Sequence, residues 1–458
     1  MWGFFIIWQT CSSHSSRLHM CKPLVRTSCT SPLYGRVVRA PLKFMIDNSY
    51  KPKILDSLQG YTLDTFLGDL TAAIVVAIIA LPLSIALAIA SGVGPNEGLY
   101  TAIVAGFIIS LLDGTKIQIS GPTAALSGII ASAILKHGLD TLVVATIVAG
   151  VILIIFSFLR VGVYLAKIPN TIVIGFTAGI ALGILVGQSK DFFGVTYLNG
   201  ARPIGNIEKI IEFFKNIETL NPYSLLIGLL SFIILIVFPK ISKKIPASLV
   251  AILVSTITVH VSNLNVLKIN DLYAISNKPM TFRAPNLVLL KTPAVYTIGI
   301  TIACLIAVEA ILACKVSDKL SDDYHHGNAE LIAQGIGSIA SVLFGGIPAT
   351  GALARTSASV KNGAKTPIAG MLQAVILFLI LIGLMKYVGM IPMPTIAALL
   401  FVVASNMSQV KIIRGYIKDG NKKDIAVIFT CLILTFALNL MVGISVALIL
   451  WVLLNKLL

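Results

Sequence analysis

Residues Ile119–Leu135 read ISGPTAALSGIIASAIL, and residues Gly345–Val360 read GGIPATGALARTSASV. Both are apolar, but both are short and rich in small residues, whereas an ordinary membrane-crossing helix needs about 20 predominantly apolar residues. Set against each other, Thr123-Ala124-Ala125-Leu126-Ser127 and Thr350-Gly351-Ala352-Leu353-Ala354 agree at three of five positions, 227 residues apart. Short segments interrupted by Gly and Pro, at matching places in two halves of a chain, mark inverted-repeat transporters. Small residues also allow tight helix packing, and the two roles can coexist.

The surrounding composition puts these segments in a bilayer. The 458 residues are 57% hydrophobic and 12% charged, with a mean hydropathy of +0.93. Soluble domains carry about 25% charged residues, so a soluble scaffold is excluded. The net charge of +16 comes from 35 Lys and Arg against 19 Asp and Glu. Short cytoplasmic loops of membrane proteins collect such residues. Nucleic-acid binding would need a basic face interleaved with aromatics, and the sequence has none.

Apolar stretches predict an all-α integral membrane protein of about fourteen spans. They are Phe66–Ala90, Gly98–Leu112, Pro122–Leu135, Leu139–Leu159, Ile168–Gly187, Tyr223–Phe238 and Pro246–Val261. The second set is Ala294–Cys314, Ala329–Phe344, Thr350–Val360, Pro367–Tyr387, Pro392–Ser408, Lys423–Leu438 and Met441–Leu454. The two short segments are the third and the tenth. Seven spans separate equivalent positions, an odd number, so the second half enters the membrane from the opposite face. With both termini cytoplasmic, the inner loops hold Lys116, Arg160, Lys240, Lys315, Lys361 and Lys411, while the short outer loops hold only Lys136 and Lys386. The expected organisation is a cytoplasmic lead-in at 45–65, a first repeat at 66–261, an extracytoplasmic loop at 262–293 and a second repeat at 294–458. Residues 1–44 contain no Asp or Glu and many Ser. They read as a transit-like segment or as upstream translation ahead of a start at Met45. The lack of an amphipathic apolar face favours the latter.

The two short segments also define a chemistry. A helix that starts inside the membrane leaves its first N–H groups without intrahelical partners, and its dipole adds partial positive charge there. Two such starts facing each other form an anion site. Pro122 and Pro348 stand before the expected first turns, where a missing N–H is harmless. Gly121, Gly345, Gly346 and Gly351 allow close backbone approach. Thr123 and Thr350 can add hydroxyl donors. Arg355 is the one Lys or Arg well inside a predicted span, and an intramembrane Arg is by default functional. Its other reading is a structural partner for a carboxylate.

Glu309, in TIACLIAVEAILACKV, reads as the one acid well inside a helix. It could carry a proton, bind Na⁺ or neutralise Arg355. Its counterpart in the first half is Pro82, which is expected to open the first helix locally. His325 and His326 lie in DKLSDDYHHGNAEL, read as a solvated loop rather than a metal cluster, with Asn328 and Glu330 capping the next helix. Cys11, Cys21, Cys29, Cys304, Cys314 and Cys431 show no metal-binding or disulfide spacing. No cofactor is implied beyond a co-transported H⁺ or Na⁺.

The stretches LPLSIALAIASGVGPNEGLYTAIVAGF, QISGPTAALSG, VEAILACKVSD and GNAELIAQGIGSIASVLFGGIPATGALARTSASVKNGAKTPIAG, with PMPTIAALLFVVASNM, resemble the SulP family of anion transporters, whose animal members are solute carrier family 26. The similarity is to the bacterial branch, which implies an inner or plasma membrane, and runs from about residue 55 to the end. It implies seven plus seven inverted helices in core and gate domains, usually dimeric, with an elevator-like motion. It places the anion against Leu83 and Leu87 of the first helix, Thr123, Ala124 and Ala125 of the third, and Thr350, Gly351, Ala352 and Arg355 of the tenth, with Glu309 alongside. Family substrates include sulfate, bicarbonate, chloride and dicarboxylates, moved by H⁺ symport, Na⁺ symport or exchange. Members usually carry a cytoplasmic STAS domain after the last helix, and this sequence stops at Leu458. The rival functions are a nucleobase permease of the same architecture and a channel-like anion conductor. An enzyme would need clustered catalytic side chains, and the sequence shows none.

Overall fold

The computed structural model describes residues 50–162, 169–198, 203, 205–242, 246–273, 280–321, 323–438 and 440–456. The proposed prefix 1–44 lies outside the described residues. Each predicted apolar stretch is met by a helix. In the first half these are α1 (Leu63–Ala90), α2 (Pro95–Leu112), α3 (Ala124–His137), α4 (Leu139–Phe158), α5 (Asn170–Phe193), α6 (Pro222–Ile241) and α7 (Ala247–Val261). In the second half they are α8 (Pro293–Ser321), α9 (Gly327–Leu343), α10 (Leu353–Lys361), α11 (Ile368–Val388), α12 (Met393–Met407), α13 (Lys422–Ala437) and α14 (Leu440–Lys456). Among the described residues, seven helical stretches are long and apolar enough to cross a membrane: α1, α2, α4, α5, α6, Pro293–Asp318 of α8, and Met393–Asp419, which begins with α12.

Packing divides the helices into two groups. The first contains α1–α4 and α8–α11, and the second contains α5–α7 and α12–α14. The pairing repeats on exchanging the halves: α4 packs on α9 as α11 does on α2, and α8 on α4 as α1 does on α11. In the second group α13 packs on α5 as α6 does on α12, and α13 on α14 as α6 does on α7. Small residues set some of these distances. A Cβ at Gly175 of α5 would lie 2.6 Å from the Ile428 carbonyl of α13, so bulk there would push the two helices apart.

Several expectations are corrected. Pro82 does not open the first helix: α1 is continuous through it for 28 residues. Proline removes one intrahelical bond, and here Pro82 is itself buried, among buried residues of the same helix such as Ala80, Ile85 and Leu87. Glu309 is not the one acid inside a helix, because Asp69 of α1 and Glu330 of α9 are both fully buried. Glu330 and Asn328 do not cap α9. They sit in its first turn, His326 is the N-cap, and no side chain caps it. His325 and His326 are partly buried. His325 Nδ1 is 2.6 Å from Asp318 Oδ2, and His326 Nδ1 is 2.8 Å from the Lys51 carbonyl.

Asp69 shows how a buried acid is accommodated. It accepts hydrogen bonds from the backbone N–H groups of Lys365 (2.7 Å) and Thr366 (3.1 Å), the Thr366 hydroxyl and the Tyr61 hydroxyl (3.0 Å). It thereby fastens the α10–α11 connection to α1. Burial, followed by the Asp69 charge, pushes the Tyr61 hydroxyl up to about 12.

Candidate functional site

The two short helices start from paired backbone. Ser120–Gly121 (β1) and Thr350–Gly351 (β2) form a two-stranded antiparallel ladder, with Ser120 opposite Gly351 and Gly121 opposite Thr350. Just beyond it the Ala352 N–H donates to the Ile119 carbonyl at 2.8 Å, and the Ile119 N–H donates to the Thr356 hydroxyl at 3.1 Å. The approach to β2 is held by hydroxyls: Thr101 accepts from the Ile347 N–H at 2.7 Å, Ser341 donates to the Ile347 carbonyl at 2.7 Å, and Ser338 donates to the Ala349 carbonyl at 3.1 Å. Non-helical backbone at membrane depth survives only where protein groups satisfy it in this way.

Beyond the ladder both chains turn into helices whose N-termini carry no side-chain cap. The N-cap of α3 is Thr123 and that of α10 is Ala352. Their first-turn N–H groups are therefore free of capping side chains, and each dipole adds positive potential. The second short helix begins at Leu353 and not at Thr350, because the pairing with β1 holds Thr350 and Gly351 extended. Pro122 stands directly before an N-cap, whereas Pro348 lies four residues ahead of one.

Arg355 occupies the first turn of α10 and is 1% exposed. Its Nη2 donates to the Pro122 carbonyl at 2.6 Å, which ties one short helix to the entry of the other. Nε and Nη1 have no hydrogen-bond partner among the described residues. No carboxylate there forms an ion pair with Arg355, so neither the structural-partner reading nor neutralisation by Glu309 is met. The guanidinium rests where Gly121 lacks a side chain. A Cβ at Gly121, whose φ is +155°, would lie 2.8 Å from Nη1 and 3.2 Å from Nη2. Gly121→Ala should therefore displace Arg355 and, with it, any anion that the guanidinium holds, weakening anion binding roughly 10-fold, equivalent to about 1.4 kcal/mol. Anion-dependent shifts in melting temperature would measure this, and an unchanged affinity would mean that Arg355 has room to spare.

Glu309 projects from α8 to the same place, where the Thr123 hydroxyl donates to its Oε2 at 2.9 Å. Thr123 thus donates its hydroxyl proton to Glu309, while its oxygen accepts no first-turn N–H as a capping hydroxyl would. Thr350 is fully buried, and its hydroxyl has no partner among the described residues. Leu87 and Ala124 are buried in one apolar cluster, with half-buried Leu83 packed against it. Ala125 belongs to a second cluster, with Phe176 of α5 and Ile306 of α8. Gly351 is buried and Ala352 half-buried, the latter with its N–H already used. The structure thus joins Thr123, Glu309, Arg355 and the ladder, while Leu83, Leu87 and Ala124 lie in one apolar cluster and Ala125 in another.

Sequence reasoning missed a second layer behind the ladder. Gln118 Nε2 and Gln334 Nε2 both donate to Glu330 Oε1, and Gln334 Nε2 lies 3.4 Å from Ser120 Oγ. A Cβ at Gly351 would lie 2.7 Å from Gln118 Nε2, so this layer touches β2 as well as β1. The local signal was a polar stripe on this helix, Glu330, Gln334, Ser338 and Ser341, spaced to share one face. No cluster of His, Cys, Asp and Glu suited to a metal occurs among the described residues.

Residues 66–431 match the model of the sulfate permease family. The chain belongs to that family. Among its members, YvdB of Bacillus subtilis, whose sulfate assignment is provisional, is 37% identical over 401 residues, covering 86% of this chain and 74% of the relative. The transmembrane domain of a cyanobacterial bicarbonate transporter, BicA, superposes with a TM-score of 0.74 at 26% identity, over 84% of this chain and 98% of that one. The murine solute carrier 26 member A9 anion transporter, in an inward-facing state, gives a TM-score of 0.80 over 96% of this chain and 77% of its own, and at 18% identity shares the fold. The sulfate permease relatives named here are transporters and not enzymes, and the nucleobase permease reading gives way to this family.

Proposed function

We propose that the chain is a secondary active transporter that carries a small anion, sulfate-type, bicarbonate or a dicarboxylate, by an elevator-like movement driven by H⁺ or Na⁺. The observation that carries the proposal is the pair of uncapped helix starts, joined by β1 and β2, with unpartnered Arg355 donors buried beside them. An unpaired buried cation is strongly unfavourable, and an arriving anion relieves it. The names of YvdB and BicA support sulfate and bicarbonate as the first substrates to test.

The exchange-symmetric packing supports fourteen spans in a seven-plus-seven inverted repeat. The group α1–α4 with α8–α11 would be the core and the remaining helices the gate, with the core carrying the anion past the gate. A homodimer in a bacterial-type plasma membrane, with both termini cytoplasmic, completes the reading. Glu309 is the group placed to couple the driving ion, because it touches the α3 start through Thr123.

The test is uptake of labelled sulfate, bicarbonate and fumarate into proteoliposomes under imposed H⁺ or Na⁺ gradients. Concentrative uptake of at least one anion under one gradient is the expected result. Purely downhill flux at channel-like rates would overturn the carrier reading.

A further inference from the structure

Behind the ladder, two buried carboxyl groups, those of Asp113 and Glu330, lie beside each other. Asp113 follows α2 directly and is 1% exposed, while Glu330 in the first turn of α9 is 0% exposed. Their carboxyl groups are close enough to act on each other, and a Cβ at Gly114, next to Asp113, would lie 2.7 Å from the Glu330 backbone nitrogen. Each carboxyl has one oxygen fully supplied with donors. Asp113 Oδ1 accepts from the Thr115 N–H and the Thr115 hydroxyl, both at 2.8 Å. Glu330 Oε1 accepts from Gln118 and Gln334. The other oxygens, Asp113 Oδ2 and Glu330 Oε2, are buried without a donor. Two buried carboxylates cannot face each other while both are ionised. One proton between Oδ2 and Oε2 satisfies both orphaned atoms and removes the repulsion.

The surroundings supply no competing charge. Among the described residues neither carboxyl has an ion-pair partner. From α8, Cys314 faces this layer with its Sγ 3.6 Å from Gln118 Oε1, and Asp318 is turned to His325. Before α9, His326 offers its backbone N–H to the Gly114 carbonyl at 2.7 Å, while its ring lies against Lys51. From the lead-in, the Lys53 N–H reaches the Asp113 carbonyl at 2.8 Å, but its ammonium is held by Asp323 at 3.1 Å. Lys116, on the loop after Asp113, is exposed.

We propose that Asp113 and Glu330 bind a single shared proton and form a second ionisable site, distinct from Glu309, that holds the β1–β2 ladder in register. The contacts run from Glu330 through Gln118 to the space beside Gly351, and through Gln334 to Ser120. Loss of the proton leaves two negative charges that recoil from each other, and the glutamines bound to Glu330 shift with it. Burial first, and Glu330 second, raise the Asp113 carboxyl well above the usual range. A carboxyl raised by folding stabilises the folded state fully below its unfolded value, and that stability is lost as pH rises towards the folded one.

The test uses the purified full-length protein, Asp113→Asn and Glu330→Gln. Either amide can donate to the remaining carboxylate in place of the proton, so both variants should fold. Infrared spectra should show a protonated-carboxyl band at neutral pH that persists in Glu309→Gln and is absent from both amide variants. The melting temperature of the wild type should fall with rising pH, and this slope should flatten in Asp113→Asn. A band unaffected by either amide substitution would overturn the proposal. So would a wild-type melting temperature raised by Na⁺ and insensitive to it in Asp113→Asn, because the pair would then be a cation site.

Discussion

Arg355→Ala is expected to abolish anion uptake while leaving a folded protein. The wild-type guanidinium spends one donor on the Pro122 carbonyl and keeps Nε and Nη1 unpartnered in a buried position. Charge-assisted hydrogen bonds contribute about 1.5–3 kcal/mol each. Losing two of them weakens binding by roughly 100-fold or more. The fold should tolerate the change, because it removes a buried charge that has no counter-ion and orphans a single carbonyl. Arg355→Lys refines the experiment. A single ammonium on a flexible stem cannot reproduce the planar fork that the proposed site needs to bond the Pro122 carbonyl and an anion together, so uptake should stay well below wild type. Scintillation counting of sulfate uptake, with a melting curve for each variant, checks both. Normal transport by Arg355→Ala would remove the residue from the site.

Glu309→Gln is expected to leave uptake measurable but to separate it from the driving gradient. A glutamine carbonyl can accept the 2.9 Å bond that Thr123 now gives to Oε2, so the start of α3 keeps its geometry while the ionisable group is lost. Uptake should then run to equilibrium and no further, at the same rate with and without the imposed gradient. Flux assays at matched and opposed gradients measure this directly. If accumulation still followed the gradient, Glu309 would be left with only a structural role.

The parts of this molecule legible in its sequence are those written locally. Small residues, Gly and Pro marked both short helices, and the lone intramembrane Arg355 marked the charge between them. What stayed hidden depends on partners far along the chain. Thr350 looks helical beside Leu353, but its strand conformation is imposed by Gly121, 229 residues earlier. Glu330 follows the polar run DKLSDDYHHGN and reads as a cap of the next helix, whereas Gln118, 212 residues away, and Asp113 make it a buried group. Pro82 predicts a broken helix wherever its neighbours are unspecified, and tight packing of α1 overrode that preference.

The ladder between β1 and β2 also has a consequence for how the protein is made. Its first strand leaves the ribosome with Gly121, but its partner is not synthesised until Gly351. Throughout that interval the short first strand has no mate and the Pro122 carbonyl has no guanidinium. The paired starts of the two short helices therefore cannot form on any nascent chain that has not reached Gly351, and their closure reports that both segments have been made and have found each other.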